Sequence, residues 1–194
     1  MVDNGGFKIN DIAVSTYSIT LLYGPSQPML PGSIDRTADI PNRAGRLWID
    51  SKLGPRTFSL PCQFATTSTD AAELDTLTRT FARVLVDAYG RPKKFKLEFD
   101  DCPGWYYTAK YNGGIPFDRK WVGCSDFKLE LIADDPFAYA ADESSVMSTI
   151  TTSGDSISIV SAGTVSTPAK ICVKNTGSAT ITGGFTITIQ NEVY

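Results

Sequence analysis

The sequence predicts an α+β, mainly β fold: antiparallel sheets packed as a sandwich, one amphipathic helix, an extended β-hairpin arm and a small β-rich C-terminal part. Three observations carry that expectation. Several stretches alternate apolar and polar residues with period two, most cleanly 94–100, where Phe95, Leu97 and Phe99 share one side. A single stretch, 71–89, instead places its apolar residues three and four apart. The alternation of 121–133 then stops at Asp134-Asp135-Pro136, after which Ser, Thr, Gly and Ala take over. Pro136 lacks an amide hydrogen and drives the residue before it out of the helical region, so a strand must end there.

Taken in order, Phe7-Lys8-Ile9 opens with a short alternation and 15–22 continues as a strand. Pro25, Pro28 and Pro31 make 24–32 a loop, because proline does not fit a sheet interior. Short strands at 37–40 and 46–49 flank the turn Pro41-Asn42-Arg43-Ala44-Gly45. A strand at 57–64 then puts Phe58, Leu60 and Cys62 on one face.

The helix is expected at 71–89. Asp70 and Glu73 form a capping-box-like start, and Leu74, Leu77, Phe81, Val84, Leu85 and Ala88 form its buried stripe. Asp75/Arg79 and Arg83/Asp87 are spaced to pair across turns. Gly90 and Pro92 end it. Strands follow at 94–100, 105–111 and 121–133, with Asn112-Gly113-Gly114 as a turn.

The expected domains are 1–140, a linker at 141–148, and a small or truncated β-rich domain at 149–194 with strands at 157–160, 169–173 and 180–189 and a turn at Asn175-Thr176-Gly177. The chain stops just after the last of these strands, so the second domain is either very small or shortened.

At 194 residues, with 42% hydrophobic and 20% charged residues, the chain has a globular composition. A net charge of −3 supplies no long-range attraction to nucleic acid or an anionic membrane. No apolar run approaches the roughly 20 residues of a membrane helix. The opening MVDNGGFKIN lacks the regions of a signal peptide, so synthesis in the cytosol is expected. Histidine is absent, which removes the commonest general base and zinc ligand. Cys62, Cys102, Cys124 and Cys172 form no CxxC pair and are expected as reduced thiols, with a Cys102–Cys124 disulfide the alternative.

No catalytic, metal or cofactor site is expected. Asp100-Asp101 and Asp134-Asp135 lie at strand ends beside prolines, where aspartate caps turns, and adjacent strand residues point to opposite faces. Trp105, Tyr106, Tyr107, Tyr111 and Trp121 gather aromatics on one hairpin, readable as core filling, subunit contact or a sugar-stacking face. Lys93, Lys94 and Lys96 are too few and too local for sequence-specific nucleic-acid binding.

The segment 33–56 is the strongest functional candidate. It interleaves Arg36, Arg43, Arg46, Lys52 and Arg56 with Asp35, Asp39 and Asp50, and adds Ile34, Ile40 and Trp48. Such a hairpin cannot bury itself. It is either a solvated surface hairpin or an arm stabilised by a neighbouring subunit. Ile34, Arg36, Ile40, Arg43, Arg46, Trp48 and Arg56 are the candidate contacts.

The succession FKIN, SITLLYG, TADIPNRAGRLWID, RTFSLPCQF, the helix, KKFKLEFDDCPGWYYTAKYNG and DFKLELIADDPFAYA resembles the N-terminal domain of siphophage distal tail proteins over about residues 7–140. The resemblance rests on ordered patterning with the IPNRAG and DDPFAY punctuation. It implies a non-enzymatic virion protein of a long non-contractile tail, forming a homo-oligomeric ring, commonly hexameric. That ring would join the tail tube protein to the tail-tip or tail-associated protein and the host-adsorption apparatus. It further implies assembly in the host bacterial cytoplasm, receptor-binding proteins as further partners, and an embracing belt mapping to 37–64. The competing reading is a monomeric carbohydrate-binding β-sandwich module.

Overall fold

The computed structural model describes residues 6–66, 71–142, 144–152, 154–160, 163–165, 170–182 and 184–189. The chain divides into two units, Met1–Ser144 and Ser145–Tyr194.

The first unit is mainly β with a single α-helix among the described residues. Strands β1 (Phe7–Ile9) and β2 (Ile12–Ala13) form a hairpin whose two loop residues, Asn10 and Asp11, have φ of 50° and 65°. Asparagine and aspartate tolerate that left-handed region, and the resulting turn matches strand twist. A single 3-10 turn (Val14–Tyr17) and β3 (Ile19–Leu21) follow. Next come β4 (Ser33–Asp39), β5 (Arg46–Leu53) and β6 (Arg56–Ala65), then α1 (Ala71–Leu85). Strands β7 (Phe95–Phe99), β8 (Trp105–Tyr111), β9 (Phe117–Trp121), β10 (Cys124–Ala133) and β11 (Tyr139–Ala140) complete the unit.

Nine of these strands make one antiparallel sheet in the order β2-β1-β7-β8-β10-β6-β3, with β11 added to β8 and β9 to β10. The spine is β10 against β6, paired without interruption from Cys124↔Ala65 to Ala133↔Arg56. That register sets Phe127, Leu129 and Leu131 beside Cys62, Leu60 and Phe58, all buried. The two layers are halves of this one sheet, joined where Leu131 and Ile132 meet Tyr111 and Lys110. The Phe58 ring on β6 lies 5.5 Å from Phe99 of β7 and 5.0 Å from Tyr107 of β8, so the halves face each other across a shared core. Helix α1 adds its stripe to that core: Leu74, Phe81 and Leu85 are buried, with Leu77 and Val84 packed at the margin.

Several expectations are corrected. The strand expected at 15–22 is only β3, because Ser18 takes φ 56° and breaks the extended chain after the 3-10 turn. The helix ends at Leu85 and not at Tyr89. There the Asp87 carboxylate accepts the Tyr89 and Arg91 amides at 2.8 and 2.9 Å, and Val86 bridges to Pro92. Ala88 is therefore exposed. The Asp75/Arg79 and Arg83/Asp87 pairs do not form; Asp75 instead pairs at 2.7 Å with Arg119 of β9. The strand expected at 121–133 begins only at Cys124, as β10; Trp121 instead ends β9, a strand the sequence reading does not include, and the chain turns between them at Val122-Gly123. The expected Asp70 cap lies outside the described residues.

In the second unit no described residue lies in a strand, so the strands expected at 157–160, 169–173 and 180–189 are absent among the described residues. The turn at Asn175 is present: its side-chain oxygen accepts the Gly177 amide at 2.9 Å, and its Nδ2 donates to the Ala179 carbonyl at 2.8 Å.

Candidate subunit-contact hairpin

Among the described residues strands β4 and β5 pair only with each other, as a two-stranded sheet separate from the nine-stranded one. Alternating residues of β4 and β5 find no core, and among 33–39 and 46–53 only Ala38 is even half-buried. Ile34, Leu47, Trp48, Ile49 and Leu53 are all exposed, Trp48 at 62%. An isolated two-stranded hairpin is marginally stable in water, and this one leaves its apolar side chains unburied.

Register decides which side chains meet. From the root, Ser33↔Leu53, Ile34↔Lys52, Asp35↔Ser51 and Arg36↔Asp50 are partners; beyond a shift come Thr37↔Trp48, Ala38↔Leu47 and Asp39↔Arg46. Ile49 is the extra residue, a β-bulge. Plain alternation from Lys52 and Asp50 would leave Trp48 on the Ile34–Arg36 face. The bulge moves it to the opposite face, with Thr37, Asp39 and Arg46. Ile34 and Arg36 therefore share one face and Arg46 and Trp48 the other, while Ile40 and Arg43 stand in the turn, closed by the Arg43 amide on the Ile40 carbonyl at 3.2 Å. The turn needs left-handed backbone at Asn42 and Gly45.

The charges are largely unspent within the hairpin. Arg46 meets Asp39 at 3.3 Å with both side chains mostly exposed, and Ser51 Oγ donates to Asp35 at 2.5 Å. Arg36, Arg43 and Lys52 have no ion pair with a described residue.

Arg56 stands apart from the other candidates. It opens β6, and its guanidinium turns back on its own subunit: Nη1 donates to the Pro28 carbonyl at 3.0 Å and to Tyr107 Oη at 3.3 Å, and the group lies 5.2 Å from the Tyr107 ring. The belt assignment of 37–64 is corrected likewise. The hairpin spans Ser33–Leu53, whereas Phe58, Leu60, Cys62 and Phe64 are at most 2% exposed and cannot leave the core. Leu47, Ile49 and Leu53 join the candidate contacts; their signal in the sequence is the unbroken apolar run Leu47-Trp48-Ile49, with Leu53 beyond it, in an otherwise charged and polar strand. Tyr23, Met29 and Leu30, exposed in the proline-rich loop, carry a similar signal in the Pro28-Met29-Leu30-Pro31 run.

The other constellations are spent locally. Asp100 accepts the Gly6 amide at 2.9 Å. Asp134 accepts a hydrogen bond from Lys110 at 3.0 Å with Lys94 at 3.7 Å, and the Lys110 bond above all holds its carboxyl below the ordinary value. Asp135 accepts the Phe137 amide and the Tyr139 hydroxyl. The aromatics do not form one platform: Tyr107 packs on Phe58, Tyr106 pairs with Tyr139 at 5.9 Å, and Trp121 stands on β9. All four cysteines are free, and burial pushes the Cys62 thiol up to about 12.

Residues 12–133, from the first residue of β2 to the last of β10, match the family model of the phage tail protein RIFT-related domain. The chain belongs to this family. It is a phage tail structural protein carrying a RIFT-related tail domain. The fold of this tail domain is similar to the crystal structure of the SPP1 Dit (gp 19.1) protein, described as a paradigm of hub adsorption apparatus in Gram-positive infecting phages. The two are 14% identical with a TM-score of 0.58, over 70% of this chain and 52% of that one. This chain thus spans about half the length of SPP1 Dit, and the likeness is one of fold. No curated protein sequence matches.

Proposed function

We propose that the tail domain forms a ring, hexameric about the tail axis, that joins the tail tube protein to the tail-tip or tail-associated protein and the host-adsorption apparatus. In this reading the β4–β5 hairpin of each copy lies on the next copy, and the role is structural, without catalysis. The protein would reside at the virion tail tip after assembly in the host bacterial cytoplasm, with receptor-binding proteins as peripheral partners. One observation carries the proposal: an ordered hairpin exposing Ile34, Leu47, Trp48, Ile49 and Leu53 beside Arg36, Arg43 and Lys52, which have no ion pair among the described residues. Covering it removes apolar surface from water and gives those cations partners. Family membership supports the tail location, and the SPP1 Dit likeness supports the hub. The net charge of −3 suits a channel that must release DNA, since attraction grows with each phosphate neutralised.

The test is the mass of the purified protein by light scattering across concentration, beside a variant lacking 41–45. The intact chain is expected to form defined oligomers and the deletion to remain a folded monomer. A strict monomer at every concentration, or a deletion that assembles as well as the parent, refutes the reading.

A further inference from the structure

Both roots of the hairpin converge on a small set of contacts. At the exit, the Gly54 amide donates to the Gly32 carbonyl at 2.7 Å. The approach there is close: a Cβ on Gly54 would sit 3.0 Å from the Gly32 oxygen and 3.4 Å from Ile34 Cδ1, so a side chain there would press the Gly32 carbonyl back by a few tenths of an ångström. Two residues later Arg56 reaches back to the loop that feeds β4. Besides the Pro28 carbonyl it approaches the Met29 carbonyl with Nη2 at 3.4 Å, while its central carbon lies over the Tyr107 ring, 5.2 Å from the centroid. Ser26 and Ser59 exchange backbone hydrogen bonds at 2.8 and 3.1 Å, which lays the loop along β6. Tyr107 in turn is fixed by Phe58 in the core.

Resting on the arm reading above, we infer that Arg56 is a positioning residue for assembly: it clamps the loop and both roots of the hairpin to the core sheet, and so sets the direction in which the arm leaves the subunit, without touching the neighbour itself. The chemistry suits a guanidinium and not an ammonium. A planar fork reaches two successive carbonyls and a phenol while its charge sits over the ring; lysine, a point charge on a flexible stem, cannot do all of this at once. The Pro28 and Met29 carbonyls lie beyond the Ser26–Ser59 bridge that pairs this loop with β6, and Pro28 and Pro31 offer no amide hydrogens to extend that pairing, so the arginine donates where the ladder has ended. The clamp also restricts what would otherwise be a swivel at the junction of two sheets. An arm with a fixed direction loses less freedom on docking than one that pivots.

The test uses the full chain with Arg56→Lys, Arg56→Met and Tyr107→Phe, read by amide hydrogen exchange in dilute solution and by light scattering at assembling concentrations. For both Arg56 variants the Ser26 and Gly54 amides are expected to exchange at least about tenfold faster, with Leu60 and Leu129 unchanged, and assembly to weaken in step. Tyr107→Phe keeps the ring and should exchange and assemble close to the parent. Unchanged exchange at Gly54 in both Arg56 variants overturns the clamp. Faster exchange with normal assembly, where deletion of 41–45 abolishes assembly, overturns the positioning role. If that deletion assembles normally too, the arm reading fails and takes the assembly half of this inference with it, while exchange still decides the clamp.

Discussion

Replacing Phe81 by alanine tests whether α1 is docked through the stripe that its sequence spacing defines. The side chain is 4% exposed, and its ring lies 5.7 Å from Tyr17, 6.1 Å from Phe64 and 6.1 Å from Phe127. Those three rings are held by the 3-10 turn, β6 and β10, so they can collapse only partly into the space left behind. Truncating a phenylalanine in such a site costs about 3–5 kcal/mol, the lost transfer free energy plus the cavity. Losing aromatic pairs adds to the simple area term and favours the upper half, about 4–5 kcal/mol. A domain stable by about 5–15 kcal/mol then has little in reserve. At about 2–4 °C per kcal/mol for a chain of this size, Tm should fall by about 8–20 °C in calorimetry or far-UV circular dichroism. Phe117→Ala is the matched control: its ring sits 6.2 Å from Phe64 in the same cluster but is 38% exposed, so about 1–2 kcal/mol is expected. A Phe81→Ala shift no larger than that of the control would show that α1 is not docked here, and would break the step from spacing to burial.

Three further outcomes follow. Trp48→Ser removes a side chain 62% exposed in the monomer, so Tm should move by less than about 0.5 kcal/mol equivalent while assembly weakens; a large Tm loss in the dilute monomer would mean Trp48 already packs within its own subunit. Asp134, its pKa held down by the Lys110 hydrogen bond, contributes stability that is present above the unfolded-state carboxylate range and is lost as pH falls through the lowered folded value. Asp134→Asn should therefore be slightly less stable near neutrality, by well under about 1 kcal/mol because the site is half-exposed, and the gap should close on acidification below the ordinary 3.8; a gap that widens in acid contradicts the ion pairing. Thiol labelling of the native protein should reach the exposed Cys102 and Cys172 and leave Cys62 unmodified until denaturant is added, since its thiol is fully buried with a pKa near 12; native-state labelling of Cys62 would mean that β6 opens.

What the chain determined by itself is the local periodicity. Phe95, Leu97 and Phe99 in β7, and Phe127, Leu129 and Leu131 in β10, are buried as their alternation requires, and Leu74, Phe81 and Leu85 line the inner face of α1. Spacing along a strand or a helix turn is a property of neighbouring residues, so it can be read from neighbours alone. The exposed hairpin was legible for the same reason: charges too closely interleaved with Ile34, Ile40 and Trp48 leave no face to bury. What the tertiary structure decided depends on groups far apart in the chain. Asp75 is drawn to Arg119, 44 residues away, and away from Arg79 on its own helix. The bulge at Ile49 depends on which residue β4 sets opposite it, and it alone places Trp48 with Arg46. Arg56 reads in sequence as one more arginine of a charged arm; it becomes a clamp only because folding brings the Pro28 carbonyl and Tyr107, 28 and 51 residues away, to its guanidinium. Partner choice across such distances is set by the free energy of the whole packed sheet, and no local window of sequence contains it.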